Sequence, residues 1–154
     1  MPVVEKPEVP VGVSVTNSPT IEYAFSSLDR RPVSRAAFAG KPTVLGFVTT
    51  WDLQSQAQTE YLVKMFDTDG DKVNYALVSF DDRKNRELVE EYVRTLKVKF
   101  PVAQADVDTV AGRGPFGAVA VPSVAVLDSF GRLVWAKGGL TKPDEVRGAL
   151  RAAK

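Results

Sequence analysis

The apolar positions of the chain alternate between runs of strand length and stripes of helical spacing. The runs predict strands at 21–25, 43–51 and 73–80, a short strand and turn at 100–106, and a hairpin over 123–139. The run at 43–51, TVLGFVTTW, is almost continuously apolar, which is typical of a central strand buried on both faces. The pattern therefore predicts a sheet in which this strand is flanked by others.

Three segments have the spacing of amphipathic helices. In the first, from about Ser55 to Phe66, four residues share one face: Ala57, Tyr61, Leu62 and Met65. The second follows Asp81 or Asp82, either of which can cap it, and has an apolar stripe of five residues: Leu88, Val89, Tyr92, Val93 and Leu96. The third begins near Thr141, the expected N-cap.

The order of these elements is β, β, α, β, α, β, β-hairpin, α. Strands that alternate with helices and are closed by a hairpin and a helix predict an α/β domain with a mixed sheet. Residues 1–20 contain four prolines and no clear periodicity, so we expect an extended or flexible N-terminal arm there. The domain itself is predicted to span residues 21–154.

Composition and charge exclude several classes of function. The 154 residues have a net charge of +1, which gives no electrostatic reason to expect nucleic acid or an anionic membrane as a partner. No segment approaches the roughly 20 apolar residues of a membrane span, and the N-terminus has no signal-peptide pattern. Without Cys or His, the chain offers no thiolate nucleophile, no disulfide exchange and no Cys/His metal site. Any catalysis would need carboxylates, Lys, Tyr or hydroxyls.

Two local motifs resemble ligand sites without meeting their requirements. Asp67, Asp69 and Asp71 have the spacing of a calcium loop, but the sixth position is Lys72 rather than the required glycine. GRGPFG at 112–117 matches G-x-G-x-x-G, yet a strand-like segment follows it instead of the helix that would face a phosphate. We therefore predict no metal site and no cofactor.

Val121-Pro122 stands directly before the first strand of the hairpin. Proline cannot donate a hydrogen bond to a sheet, so its presence here indicates special geometry. A cis peptide bond that shapes the neighbouring surface is one explanation, and an edge position or a strand start is another.

Several segments together resemble the thioredoxin superfamily: GKPTVLGFVTTW before a helix, ALVSFDD, FPVAQAD, and VPSVAVLDSFGRLVWAKGG before a final helix. The pattern is most similar to the TlpA-like thiol–disulfide oxidoreductases, a bacterial-type branch that overlaps with the redoxins. The resemblance covers about residues 21–154. It implies a thioredoxin-like fold, with a central mixed β-sheet flanked by helices on both faces, and an extracytoplasmic location, either periplasmic or secreted.

The redox motif of that family is degenerate here. Trp51 matches the Trp before the motif, Asp52 falls where the attacking cysteine would be, and Ser55 falls where the resolving cysteine would be, with Leu53 and Gln54 between them. An aspartate at a helix N-terminus is a stabilised anion, but it cannot form a mixed disulfide. The resemblance therefore implies a redox site without thiol chemistry.

Two further positions carry over from the family. Pro122 matches its cis-proline, and Val121 matches the residue that lends backbone groups to a bound substrate. Gly46 occupies the place of the buried acid that thioredoxin has before its Phe-x-x-x-Trp.

The resulting hypothesis is a redox-inactive, thioredoxin-like module that binds a protein or extended peptide in the groove beside Pro122. Trp51, Leu53 and Phe116 would supply apolar contacts there, and Asp52 a charge. One alternative is an oxidoreductase or antioxidant-type family member whose redox function is cysteine-independent, supplied by a partner's cysteines, or lost by engineering. Another is a structural role, with the groove buried in an assembly and the N-terminal arm as a tether.

Overall fold

The computed structural model describes residues 19–153, in which strands and helices alternate around one mixed sheet. The strands are β1 (Ala24–Ser27), β2 (Val33–Ser34), β3 (Thr43–Val48), β4 (Asn74–Ser79), β5 (Val102–Gln104), β6 (Ser123–Leu127) and β7 (Leu133–Gly138). The helices are α1 (Arg35–Phe38), α2 (Leu53–Asp69), α3 (Arg86–Thr95), α4 (Val107–Val110) and α5 (Pro143–Ala152). The α/β class predicted from the sequence is confirmed.

The central position of β3 follows from its uninterrupted apolar run. The sheet order is β2-β1-β5-β4-β3-β6-β7. β3 runs parallel to β4 and antiparallel to β6, and β4 runs parallel to β5. Every residue of β3 is buried, as expected for a strand covered on both faces.

Alternate residues of the strands enter two separate cores. On one face Val44, Tyr75 and Val124 join residues of the three long helices in what we call the helix-face core; its helical members include Leu62, Met65, Val89, Val146 and Leu150. On the other face Leu45, Phe47 and Val78 form the second-face core, which the short helix α1 and the segment around Val119 cover. Helices thus flank both faces of the sheet, and the three long helices lie on the same face.

Helix boundaries differ from the expected ones because of capping interactions. α2 begins at Leu53 and ends at Asp69, so it is longer than the predicted 55–66. The expected cap of the last helix, Thr141, lies one residue too early: the N-cap is Lys142, whose backbone N–H donates to the Glu145 carboxylate at 3.2 Å. The predicted arm at 1–20 falls almost wholly outside the described residues, although Thr20 pairs with Arg132 at the edge of the hairpin. Within residues 19–153 no helix is long and apolar enough to cross a membrane.

Candidate functional site

The predicted site lies where β3 passes into α2, and we call residues 49–55 the strand–helix junction. Asp52 is the N-cap of α2: its backbone is extended, and its Oδ1 accepts a hydrogen bond from the N–H of Gln54 at 3.2 Å. The predicted positions Trp51 to Ser55 therefore span the cap and the first turn of the helix. A negative side chain at this end also complements the helix dipole.

Ser55 ties the helix back to the strand. Its side chain is fully buried, its Oγ donates to Oδ2 of Asp52 at 3.0 Å, and the same Oγ accepts from the backbone N–H of Thr49 at 3.1 Å. The two residues at the cysteine-like positions are thus joined by a direct hydrogen bond. This bond fixes the shape of the junction from inside.

Asp81 holds the junction from the neighbouring strand. Its carboxylate accepts from the backbone N–H of Thr50 at 3.0 Å, from the Thr50 hydroxyl, and from the Ser79 hydroxyl at 2.9 Å. From the sequence we expected either Asp81 or Asp82 to cap the next helix. Neither caps α3, whose N-cap is Asn85. Asp82 instead caps the short 3-10 turn Arg83–Asn85 that leads into α3, accepting from the N–H of Lys84, whereas Asp81 is 7% exposed and serves the junction.

The register of the sheet brings Val121-Pro122 to the same edge. Phe47 pairs with Ser123 in the antiparallel β3–β6 ladder, so the residues after β3 lie beside those before β6. The Val121–Pro122 peptide bond is cis, and the Pro122 carbonyl accepts from the N–H of Gly139 at 2.8 Å. The structure therefore brings the junction and Val121-Pro122 together.

Exposure separates the surface residues of the site from its supports. Trp51 and Leu53 are 80% and 82% exposed, the highest values among the large apolar side chains described. Phe116 has a different position: its ring centroid lies 5.4 Å from that of Phe47 and 5.5 Å from that of Tyr23, against the second-face core. Trp51 and Leu53 are thus the exposed apolar side chains of the junction, while Phe116 is half-buried and packs against the second-face core.

Gly46 has no room for the acid found at this place in thioredoxin. A Cβ on Gly46 would lie 2.7 Å from Cδ1 of Leu62 and 3.0 Å from Cδ2 of Leu77, both fully buried. Leucine side chains thus fill the space under the junction. No buried carboxyl group can occupy this position without repacking the helix-face core.

The buried side of α2 is more polar than its apolar spacing predicted. Gln58 is fully buried and makes two hydrogen bonds to the backbone of Thr141, at 3.0 Å to the carbonyl and 2.7 Å from the N–H. The Thr59 hydroxyl is 2.9 Å from the Tyr92 hydroxyl of α3. These contacts anchor α2 to the loop before α5 and to α3. Periodicity could not reveal them, because Gln and Thr count as polar in the pattern.

A cleft of about 250 Å³ opens beside the junction, between α2 and α3, and we call it the α2–α3 cleft. Thr50 and Gln56 line one side, and Leu88, Glu91 and Tyr92 are among the residues lining the other. Leu88, expected on the buried stripe of the helix, is instead 57% exposed at this cleft. The reason is that α2 lies closer to the Tyr92 side of α3, as the Thr59 contact shows.

The Tyr92 phenol contacts the Thr59 hydroxyl and lies in the field of nearby carboxylates. The pKa of Tyr92 is raised to about 12, mainly by burial and also by the charges of Asp81, Asp52 and Glu60. The side chains at this end of α2 thus supply apolar surface, negative charge and fixed hydrogen-bonding groups. Within residues 19–153 no cluster of acidic side chains has an arrangement that could hold a metal ion.

Solved structures with the same architecture include a DsbF homologue from Corynebacterium diphtheriae, 19% identical, with a TM-score of 0.80 over 94% of this chain and 96% of that one. A thiol:disulfide interchange protein of the thioredoxin family from Chlorobium tepidum is 18% identical, with a TM-score of 0.75 over 92% and 99%. The fold is thioredoxin-like. This confirms the predicted fold and the resemblance to the thiol–disulfide oxidoreductases.

A third structure of the same thioredoxin-like fold is a secreted thiol-disulfide isomerase from Corynebacterium glutamicum. It is 15% identical, with a TM-score of 0.76 over 93% of each chain. No family model and no curated protein sequence matches the chain. These similarities establish the fold, and within it the chain differs from a thiol enzyme in having no cysteine.

Proposed function

We propose that this protein binds an extended peptide or protein segment at the strand–helix junction, beside Val121-Pro122, without thiol chemistry. The observation that carries the proposal is the combination of two exposed apolar side chains, Trp51 and Leu53, with a junction held rigid from beneath. Large apolar side chains clustered on a surface mark interaction sites. A support that is already ordered reduces the entropy cost of binding.

Main-chain groups beside the junction favour an extended ligand. Within the described residues the Val121 backbone makes no backbone hydrogen bond, and it lies two residues before β6. An extended peptide can hydrogen-bond to such unpaired main-chain groups and gain specificity from side-chain contacts.

Trp51 provides an intrinsic reporter of binding. The chain has two tryptophans, Trp51 at 80% exposure and Trp135 at 5%, so a ligand at the junction alters the emission of Trp51 alone. We expect a cysteine-free extended peptide to shift that emission to shorter wavelength with saturation, and to protect it from a soluble quencher. Trp51→Phe should abolish the signal, and Leu53→Ser should weaken binding without unfolding the protein, because Leu53 is exposed.

The redox alternative is tested separately. Because the chain has no cysteine, it cannot itself form a mixed disulfide, and we expect no insulin reduction and no peroxide turnover above a heat-killed control. Activity above that control would favour a cysteine-independent or partner-supplied redox role. An absence of any saturable change at Trp51 with a panel of extended peptides would contradict the binding proposal itself.

A further inference from the structure

We propose that the α2–α3 cleft receives an arginine or lysine side chain of the bound segment, so that this protein selects basic peptides. The inference rests on the proposed function, since it names the chemistry of the ligand at that same site. Thr50 belongs both to the strand–helix junction and to the lining of the cleft. A segment lying across Trp51 therefore passes the mouth of the cleft.

The size of the cleft suits one side chain. Pockets for whole small molecules usually have volumes of about 300–1,000 Å³, whereas this one has about 250 Å³. Two leucines, Leu88 and Leu96, form its apolar wall. Long basic side chains bury their aliphatic stem on such a wall and keep the charged end near polar groups.

The charge around the cleft selects a cation. Glu91 is the only charged residue in the described lining, and no basic residue lines it. Glu91 is paired with Arg94 at 2.7 Å and also accepts from the Thr95 hydroxyl at 3.2 Å, but the Glu91 and Arg94 side chains are about two-thirds exposed, and such surface contacts exchange at little cost. A guanidinium of the ligand can therefore compete for the same carboxylate in a bidentate geometry.

Other carboxylates add to the same negative field. Asp81 lies at the junction end of the cleft, where it accepts from the backbone N–H and the hydroxyl of Thr50, a lining residue, and Asp52 caps α2 at the same end. An acidic ligand would meet repulsion from each of them. Charge complementarity thus favours a basic side chain over an apolar one and disfavours an acidic one.

The test uses capped, cysteine-free peptides that differ only at one central position, which is Arg, norleucine or Glu. We expect the Arg peptide to bind about three- to fivefold more tightly than the norleucine peptide at low salt, and the Glu peptide to bind most weakly. The preference for Arg should shrink at high salt, because screening acts on an open cleft. Equal affinities for the Arg and norleucine peptides would overturn the inference.

Two matched variants locate the effect. Glu91→Gln should bring the Arg and norleucine peptides to nearly equal affinity. Glu90→Gln, which removes the same charge one residue away in a pair with Arg86, should leave the preference intact. A preference that survives Glu91→Gln, or that disappears equally in Glu90→Gln, would place the discrimination outside the cleft.

Amide shifts distinguish this inference from the proposed function. Shifts at residues 51–55 and 120–123 with every peptide, and at 88–96 only with the Arg peptide, would support both. Shifts at the junction without any Arg-specific response in α3 would leave the binding function standing and contradict the basic specificity. If no peptide perturbs the amides of the junction, both the binding function and the basic specificity are contradicted.

Discussion

Replacing Asp52 with alanine tests whether this side chain holds the strand–helix junction together. The substitution removes the acceptor for the Gln54 N–H and the acceptor for the Ser55 hydroxyl. Ser55 is fully buried and its oxygen remains engaged by the Thr49 N–H, so its own O–H is left without a partner in the described structure. Two distinct interactions are therefore lost in one step.

The expected cost combines both losses. Removing an N-cap acceptor destabilises a helix by about 0.5–2 kcal/mol, and leaving a buried hydroxyl donor unpaired costs about 1–3 kcal/mol. We predict that Asp52→Ala lowers the free energy of unfolding by about 2–4 kcal/mol. Asp52→Asn keeps an oxygen acceptor of similar shape and should cost about 1 kcal/mol or less.

Urea unfolding followed by circular dichroism measures these differences, provided that the m-value is unchanged. Asp82→Ala is the matched control, because Asp82 also caps a helical turn but is exposed and supports no buried hydroxyl. It should cost only about 0.5–1 kcal/mol. In a double-mutant cycle with Ser55→Ala, the coupling between Asp52 and Ser55 should be about 0.5–1.5 kcal/mol.

One result would refute this reasoning directly. If Asp52→Ala were as stable as the parent protein, or more stable, the carboxylate would have no structural role at the cap. Its retention would then have to be explained by the ligand alone, as a charge that the fold tolerates at some cost in stability.

Three further predictions concern the supports of the site. Gly46→Ala should destabilise the protein by about 1–3 kcal/mol in urea unfolding, because its Cβ would lie 2.7 Å from the Leu62 side chain; an unchanged midpoint would contradict this. Gln58→Leu should lower the free energy of unfolding by about 2–5 kcal/mol, since two buried backbone groups of Thr141 lose their partner. A loss below about 1 kcal/mol would mean that the loop before α5 finds other hydrogen-bond partners. The pKa of Tyr92 is raised from 10.0 to about 12, so between these pH values unfolding releases its proton and the free energy of unfolding falls as pH rises. Tyr92→Phe should flatten that decline, and an unchanged slope of unfolding free energy against alkaline pH would contradict the assignment.

The sequence predicted those parts of the fold that periodicity encodes. The continuous apolar run of β3 identified the central strand, and the hairpin around Asp128 appeared as expected. The polar contacts that anchor α2 escaped prediction because a buried Gln58 looks the same in the pattern as an exposed one. The position of Leu88 was wrong for a related reason: spacing defines a face, but the neighbouring helix decides which part of that face is covered.

The candidate site was predictable to a similar extent. The resemblance placed Trp51, Asp52 and Pro122 at one edge of the sheet, and the β3–β6 register brings their segments together. The role of Asp81 could not be read from the sequence, because two adjacent aspartates before a helix are equally good caps. Asp81 supports Thr50 because the folded sheet places it next to the residues that follow β3.

Amide shift mapping of the intact protein with a cysteine-free extended peptide tests the central claim most directly. We expect saturable shifts concentrated at residues 51–55 and 120–123, unchanged by reductant because neither molecule has a thiol. Saturable shifts confined to another surface, or none at any peptide concentration, would contradict it.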